Sequence, residues 1–183
     1  MAEIDRLDRL ERELASAIAE IDRLKSAESI RDCIYRICRA TDRIDEPLFR
    51  SAFHPDAKVH CGDMYDGDAG TFIERVLTHQ KKQIQVQHMV GNIRININGD
   101  EAVAESYELA RHKSPVGGEL KDLVLAMRTL DRFSRRNGEW RITDRTKVMD
   151  WGRIISGDEG IYNMPGLDKG RRDETDLSYK LSS

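Results

Sequence analysis

The chain has 183 residues, 39% of them hydrophobic and 34% charged, with a formal net charge of −3. That length suits one domain with a modest appendage and a sizeable core, and the balanced charge leaves no electrostatic footprint for nucleic acid. Cys33, Cys38 and Cys61 form no CxxC pair, the opening MAEIDRLDRLERE is too acidic for a secretory signal, and no apolar run reaches membrane-spanning length; together these place a reduced, soluble chain in the cytoplasm.

Residues 2–26 form a predicted charged helix. Leu7, Leu14 and Ile21 recur every seven residues, and Ile4, Leu10, Ile18 and Leu24 widen the stripe. Such a segment either pairs with another helix or lies on its own domain. Ser26 or Ser29 caps or breaks it, and a second helix follows over 28–43, with Ile30, Ile34, Ile37 and Thr41 along one stripe. Tyr35, Cys38 and Asp42 form the adjacent stripe. A short helix over 46–53 ends at Pro55. Residues 56–62 read as a strand, 64–70 as a glycine-punctuated turn, and 71–82 as an amphipathic helix.

From residue 86 the period changes from helical to alternating. Strands are predicted over 86–98 and 101–113, joined at Asn98-Gly99-Asp100. A loop spans 114–119, and strands over 120–136 and 139–151 are joined at Asn137-Gly138. The tail from Gly152 has no clear period and reads as a loop-like arm. Helices first and a meander of long strands after them argue an α+β domain, a curved antiparallel sheet covered by helices to make a cone with an internal pocket.

Asp42 lies near a helix C-terminus, where an acid is electrostatically unfavourable and so invites a reason beyond structure. His88 opens the first long strand but shares parity with Asn92, Arg94 and Asn96, opposite the Ile93/Ile95/Ile97 row. Either that face lines a polar cavity, or a bulge near Gly91 resets the register. His54, His60, His79 and His112 form no HxH or HExxH spacing, so no metal site is expected. No GxGxxG, Walker loop or G-x-S-x-G elbow occurs. Cys38 and Cys61 read as small core residues rather than nucleophiles. Acid–base chemistry remains: a histidine held by a carboxylate takes a proton, and a nearby arginine stabilises the charge that develops.

The ordered set YRICRATDRID, FHPDA, VQHMVGN, GDEAVAESY and NGEWRITDR resembles the SnoaL-like branch of the nuclear-transport-factor-2-like superfamily, over about residues 27–152. The segments before and after would then be a helical extension, 1–26, and a C-terminal arm, 153–183. The resemblance implies a cone-shaped α+β barrel and a cofactor-free lyase, with no metal, assembled as a homotrimer or a homodimer. It puts the family's aspartate on Asp42, its histidine on His88 and an arginine on Arg145. The position where dehydrochlorinases carry a lysine is Ile37, so Arg39 is the nearby alternative cation. By the same resemblance Tyr35, Tyr65 and Tyr107 are candidate pocket hydroxyls, and ordinary packing is favoured for Tyr107. Arg128 and Lys147 each face either pocket or solvent, and Arg128 joins the substrate-binding candidates. The expected substrate is a hydrophobic, aromatic small molecule such as a lignin-derived diarylpropane, undergoing elimination, dehydration or aldehyde-releasing cleavage. A ketosteroid-isomerase-like isomerase, whose second acid would be Glu105 or Asp144, and a non-catalytic binding or assembly module are the alternatives.

Overall fold

The computed structural model describes residues 2–156, 165–166 and 168–182. Its elements are α1 (Ala2–Arg43), α2 (Glu46–Ser51), β1 (Phe53–His60), β2 (Asp66–Asp68), α3 (Ala69–Gln80), β3 (Gln85–Asn98), β4 (Glu101–Val116), β5 (Glu119–Arg136), β6 (Glu139–Ser156) and a C-terminal 3₁₀ turn, Leu177–Ser182. The class is α+β. The six strands form one open sheet in the order β2-β1-β6-β5-β4-β3. The sheet is mixed rather than wholly antiparallel, because β1 runs parallel to β6. None of the described helices is long and apolar enough to cross a membrane.

Several local expectations change. The two N-terminal helices are one, and neither Ser26 nor Ser29 breaks it. Pro55 does not stop a helix but lies inside β1, which begins at Phe53. Part of the 64–70 turn pairs with β1 as the short strand β2. Residues 114–116 extend β4, which leaves Gly117-Gly118 as the turn. Strand β6 runs on to Ser156 rather than ending near 151. Of the expected arm, residues 157–164, 167 and 183 lie outside the described residues.

The hairpin turns follow their residues. Gly117 and Gly118 both have positive φ, as do Asn137 and Gly138, while at the β3–β4 turn Gly99 is positive. These are the left-handed conformations that tight hairpins demand and that Gly and Asn tolerate.

The sheet's inner face packs against α1. Its apolar end joins Ile30, Cys33, Ile34, Ile37 and Ala40 of α1 to Ala102, Ala104, Phe133, Trp140 and Ile142. Alternation then carries the same face from apolar to polar. In β4, Ala102, Ala104, Ser106, Glu108, Ala110 and His112 are all buried. Their partners in β5 are Phe133, Asp131, Thr129, Met127, Leu125 and Leu123, and those residues in turn pair Asp131 with Arg145 and Thr129 with Lys147 in β6.

Strand β3 resolves the parity conflict at His88. Its register with β4 shifts between Gly91 and Arg94: Gly91 faces Tyr107, yet Arg94 faces Glu105. One extra residue sits in β3 there, and Asn92 takes a positive φ of 48°. A bulge flips alternation by one. Val86, His88 and Val90 therefore share the inner face with Ile93, Ile95 and Ile97.

Candidate active site

The end of α1 sets the first carboxylate. The helix closes with the Asp45 amide donating to the Ala40 carbonyl at 2.9 Å, and Ile44 takes a φ of 57°. That left-handed residue, uncommon for a branched side chain, ends the helix just past Asp42. Asp45 then caps α2 by accepting from the Leu48 amide.

Asp42 grips His88 twice. The ring Nδ1 lies 2.7 Å from Oδ1, and the His88 backbone amide donates to Oδ2 at 3.2 Å. Both side chains are largely buried, 7% exposed for His88 and 15% for Asp42. An ionised carboxylate only accepts, so Nδ1 carries the proton in the pair and Nε2 is left as the basic nitrogen.

Beyond Nε2 stands a second carboxylate. Glu108 Oε1 lies 4.0 Å from His88 Nε2 and accepts from Lys147 Nζ at 2.9 Å. Burial pushes the Glu108 carboxyl up, but Lys147 and then the His88 ring outweigh it and hold the group down at about 2. Glu108 is thus an anion at neutral pH, and Asp42, His88, Glu108 and Lys147 form one chain across α1, β3, β4 and β6. The His112 and His88 rings meet in a T-shaped arrangement, 5.3 Å between centroids. Burial lowers the His112 imidazole to about 4, so it is neutral at physiological pH.

Arg145 lies deeper on the same face and is already paired. It donates through Nε to Asp131 Oδ1 at 2.7 Å and through an Nη to Oδ2 at 2.8 Å, with its guanidinium over the Phe53 ring. Burial disfavours its charge, but Asp131 more than offsets that and keeps it protonated. The Thr129 hydroxyl, in register with Lys147, is buried and makes no hydrogen bond with the described residues.

The remaining candidates are scattered. Tyr35 shares the helix stripe of Cys38 and Asp42 but is 47% exposed. Arg39 donates to Ser178 and sits over the Tyr179 ring, holding the C-terminal turn. Tyr65 packs on Phe72 and donates to the Asp68 carbonyl at the far edge of the sheet. Arg128 is not a pocket residue: strand alternation turns it to the outer face, where it bonds Asp150 and Glu105. Glu105, bonded to Arg128 there, supplies no interior acid, and Tyr107 is 47% exposed on that face too. Burial raises the Cys33 and Cys38 thiols to about 12, which leaves both inert as nucleophiles. Among the described residues, no group of three or more His, Cys, Asp or Glu side chains could hold a metal ion.

Sequence reasoning missed Glu108, His112, Asp131 and Arg172, and left Lys147 undecided. Parity offered a signal for the first of these, since Glu108 alternates in step with Ala102, Ala104 and Ala110. Arg172 of the C-terminal arm donates to the carbonyls of Thr41, Asp42, Gln80 and Gln83. A cation at a helix C-terminus satisfies its orphan carbonyls, so Arg172 fastens the arm over the end of α1. A cleft of about 400 Å³ reaches the dyad there, walled by Gln85, Gln87, Arg111 and Gly170–Arg172. A larger hollow, about 840 Å³, lies beneath Arg94, Glu105, Arg132 and Asp144, but no histidine lines it.

The sequence matches the model of the SnoaL-like domain over residues 22–146. The chain belongs to the SnoaL-like domain family. Solved structures agree on the fold. Hexachlorocyclohexane dehydrochlorinase LinA-type3 from Novosphingobium barchaimii LL02 is 17% identical, covering 76% of this chain and 96% of its own, with a TM-score of 0.69. LinA is 20% identical over 83% of this chain and 98% of its own, with a TM-score of 0.65. A proposed scytalone dehydratase from Novosphingobium aromaticivorans DSM 12444 is 17% identical over 80% and 97%, also at 0.65. No curated protein matches the sequence.

Proposed function

We propose that this SnoaL-like protein is a lyase that works by proton abstraction without a cofactor, with His88 as the base. The observation that carries the reading is the double grip of Asp42 on His88, ring and backbone together, which leaves Nε2 directed at the interior. His88 Nε2 takes a proton from carbon or oxygen of the substrate. The electron pair released forms the new double bond, and the leaving group departs with its own pair. The imidazolium so formed sits between two carboxylates, Asp42 and Glu108, which stabilise it. Lys147 Nζ keeps donors beyond the one given to Glu108 and meets the charge on the departing or enolate-like oxygen. Arg145, bonded to Asp131, backs the site with a fixed positive charge from behind.

The substrate is a hydrophobic, aromatic small molecule, and a diarylpropane is the specific candidate. Loss of its hydroxymethyl proton to His88 forms the C=O of formaldehyde, the broken C–C pair forms the alkene, and the neighbouring hydroxyl leaves as water with a proton from Lys147. The dehydrochlorinase and dehydratase activities of the similar structures support elimination chemistry of the same class. An isomerase of the ketosteroid kind is less well supported, because it needs a neutral carboxylic acid as donor, and the interior acid Glu108 is held ionised. The test is turnover of a panel of aromatic alcohols and diarylpropanes by wild type and His88→Ala. Loss of about two to four orders of magnitude in kcat with the fold intact is expected for a missing base. An unchanged rate in the variant removes His88 from the role.

A further inference from the structure

The N-terminal half of α1 carries an apolar stripe that its own domain does not use. Ile4, Leu7, Leu10, Leu14, Ile18, Ile21 and Leu24 are each 46–63% exposed, and residues 3–25 are exposed throughout. The alternative reading, a helix lying on its own domain, therefore fails. The reason lies in the angle. In the second half of α1 the buried residues are Ser26, Ala27, Ile30, Cys33, Ile34, Ile37, Ala40 and Thr41. At about 3.6 residues per turn, the centre of that stripe lies roughly 150° around the helix from the centre of the exposed one. One unbroken helix thus presents opposite faces in its two halves. Its root is fixed by Arg135, which donates to Asp22, beside the stripe's edge at Ile18, and to Ser26 on the buried face.

We propose that residues 4–25 pair in parallel with the same segment of a second copy of this chain. In the heptad that fits, a positions are Leu7, Leu14 and Ile21, and d positions are Leu10, Ala17 and Leu24. The flanking charges choose the partner and its direction. In a parallel pair each g residue meets the e residue five places on in the other chain. Here Arg6 meets Glu11 and Glu20 meets Lys25, both attractive, while Glu13 meets the uncharged Ile18. An antiparallel pair with the same seam, Leu7 against Leu24, sets Glu13 near Glu20 instead. Within one chain Glu20 bonds Arg23, an exposed bridge that a second partner readily shares. The small Ala17 lets the two helices approach closely.

The test uses the full chain. Light scattering of wild type should give an associated species, and Leu14→Glu/Ile21→Glu should reduce its mass; a monomeric wild type, or a mass that the double variant leaves unchanged, overturns the proposal. Leu7→Cys should form a reducible covalent dimer under mild oxidation, because equivalent a positions adjoin only in a parallel pair. Absence of that band, or equal cross-linking by Ser16→Cys outside the seam, contradicts it. Glu20→Lys should weaken association about tenfold, and Glu20→Lys/Lys25→Glu should restore it. Failure of the double reversal to recover overturns the charge register. These variants lie on an exposed arm away from His88, so turnover per chain should hold throughout.

Discussion

The two ends of the sheet's inner face obey one alternation and opposite energetics. At one end Phe133, Ile142, Ala102 and Trp140 close an apolar core with α1. At the other, the same strands bury Asp131 with Arg145 and Glu108 with Lys147, and set His88 against Asp42. Burying apolar surface is favourable in itself. Burying charge is costly and is at best repaid by pairing. The polar end is therefore hard to explain as a stabilising device, which is why the proposed chemistry is placed there.

Substitutions can sharpen that contrast, beginning with the largest effect on stability. Asp131→Ala strands a fully buried guanidinium and should cost about 3–5 kcal/mol, read as a shift in the urea midpoint. The double change Asp131→Leu/Arg145→Met should recover most of the loss, and failure to do so would mean that the ion pair is needed for the fold itself. Phe133→Ala should cost a similar ~3–5 kcal/mol through a cavity, with no partner change able to rescue it. Both ends are thus expected to be sensitive, but only the polar end should be replaceable.

Of these two ends, acid should act at the polar one. The Glu108 carboxyl is depressed from 4.5 to about 2. Its contribution is present above the unfolded value and is lost as pH falls from about 4.5 to about 2. The imidazole of His112 is depressed from 6.5 to about 4, so the unfolded chain takes up a proton that the folded one refuses. Stability should fall over that window as well. Denaturation followed by circular dichroism should show Glu108→Gln flattening the lower window and His112→Phe the upper. A wild-type curve flat from pH 6.5 to 2 would contradict both. The smallest effect belongs to Ile142→Val in the apolar core, about 0.5–1.5 kcal/mol and independent of pH.

Much of this architecture was legible because hydrophobic period changes from helical to alternating near residue 85 and the turns carry Asn-Gly and Gly-Gly pairs. The helix break expected at Ser26 or Ser29 was misread for a physical reason: the apolar stripe jumps to the other face there, and locally that looks like an end. The bulge near Gly91 was one of two open readings, since a glycine permits a register shift without requiring it. Asp42 and His88 stood out by position and resemblance. Glu108 did not, because an acid in a strand ordinarily faces water, and only its parity with Ala102, Ala104 and Ala110 marks it as interior. Arg172 was beyond reach, since its partners on α1 are some 130 residues away in a tail without period.

Nitrogen-15 NMR of the His88 ring reports most directly on whether Asp42 prepares a base. With the ring neutral, the proton should sit on Nδ1 and Nε2 should show the chemical shift of an unprotonated, pyridine-like nitrogen, a preference that Asp42→Asn should lose. A wild-type ring carrying its proton on Nε2 would contradict the account.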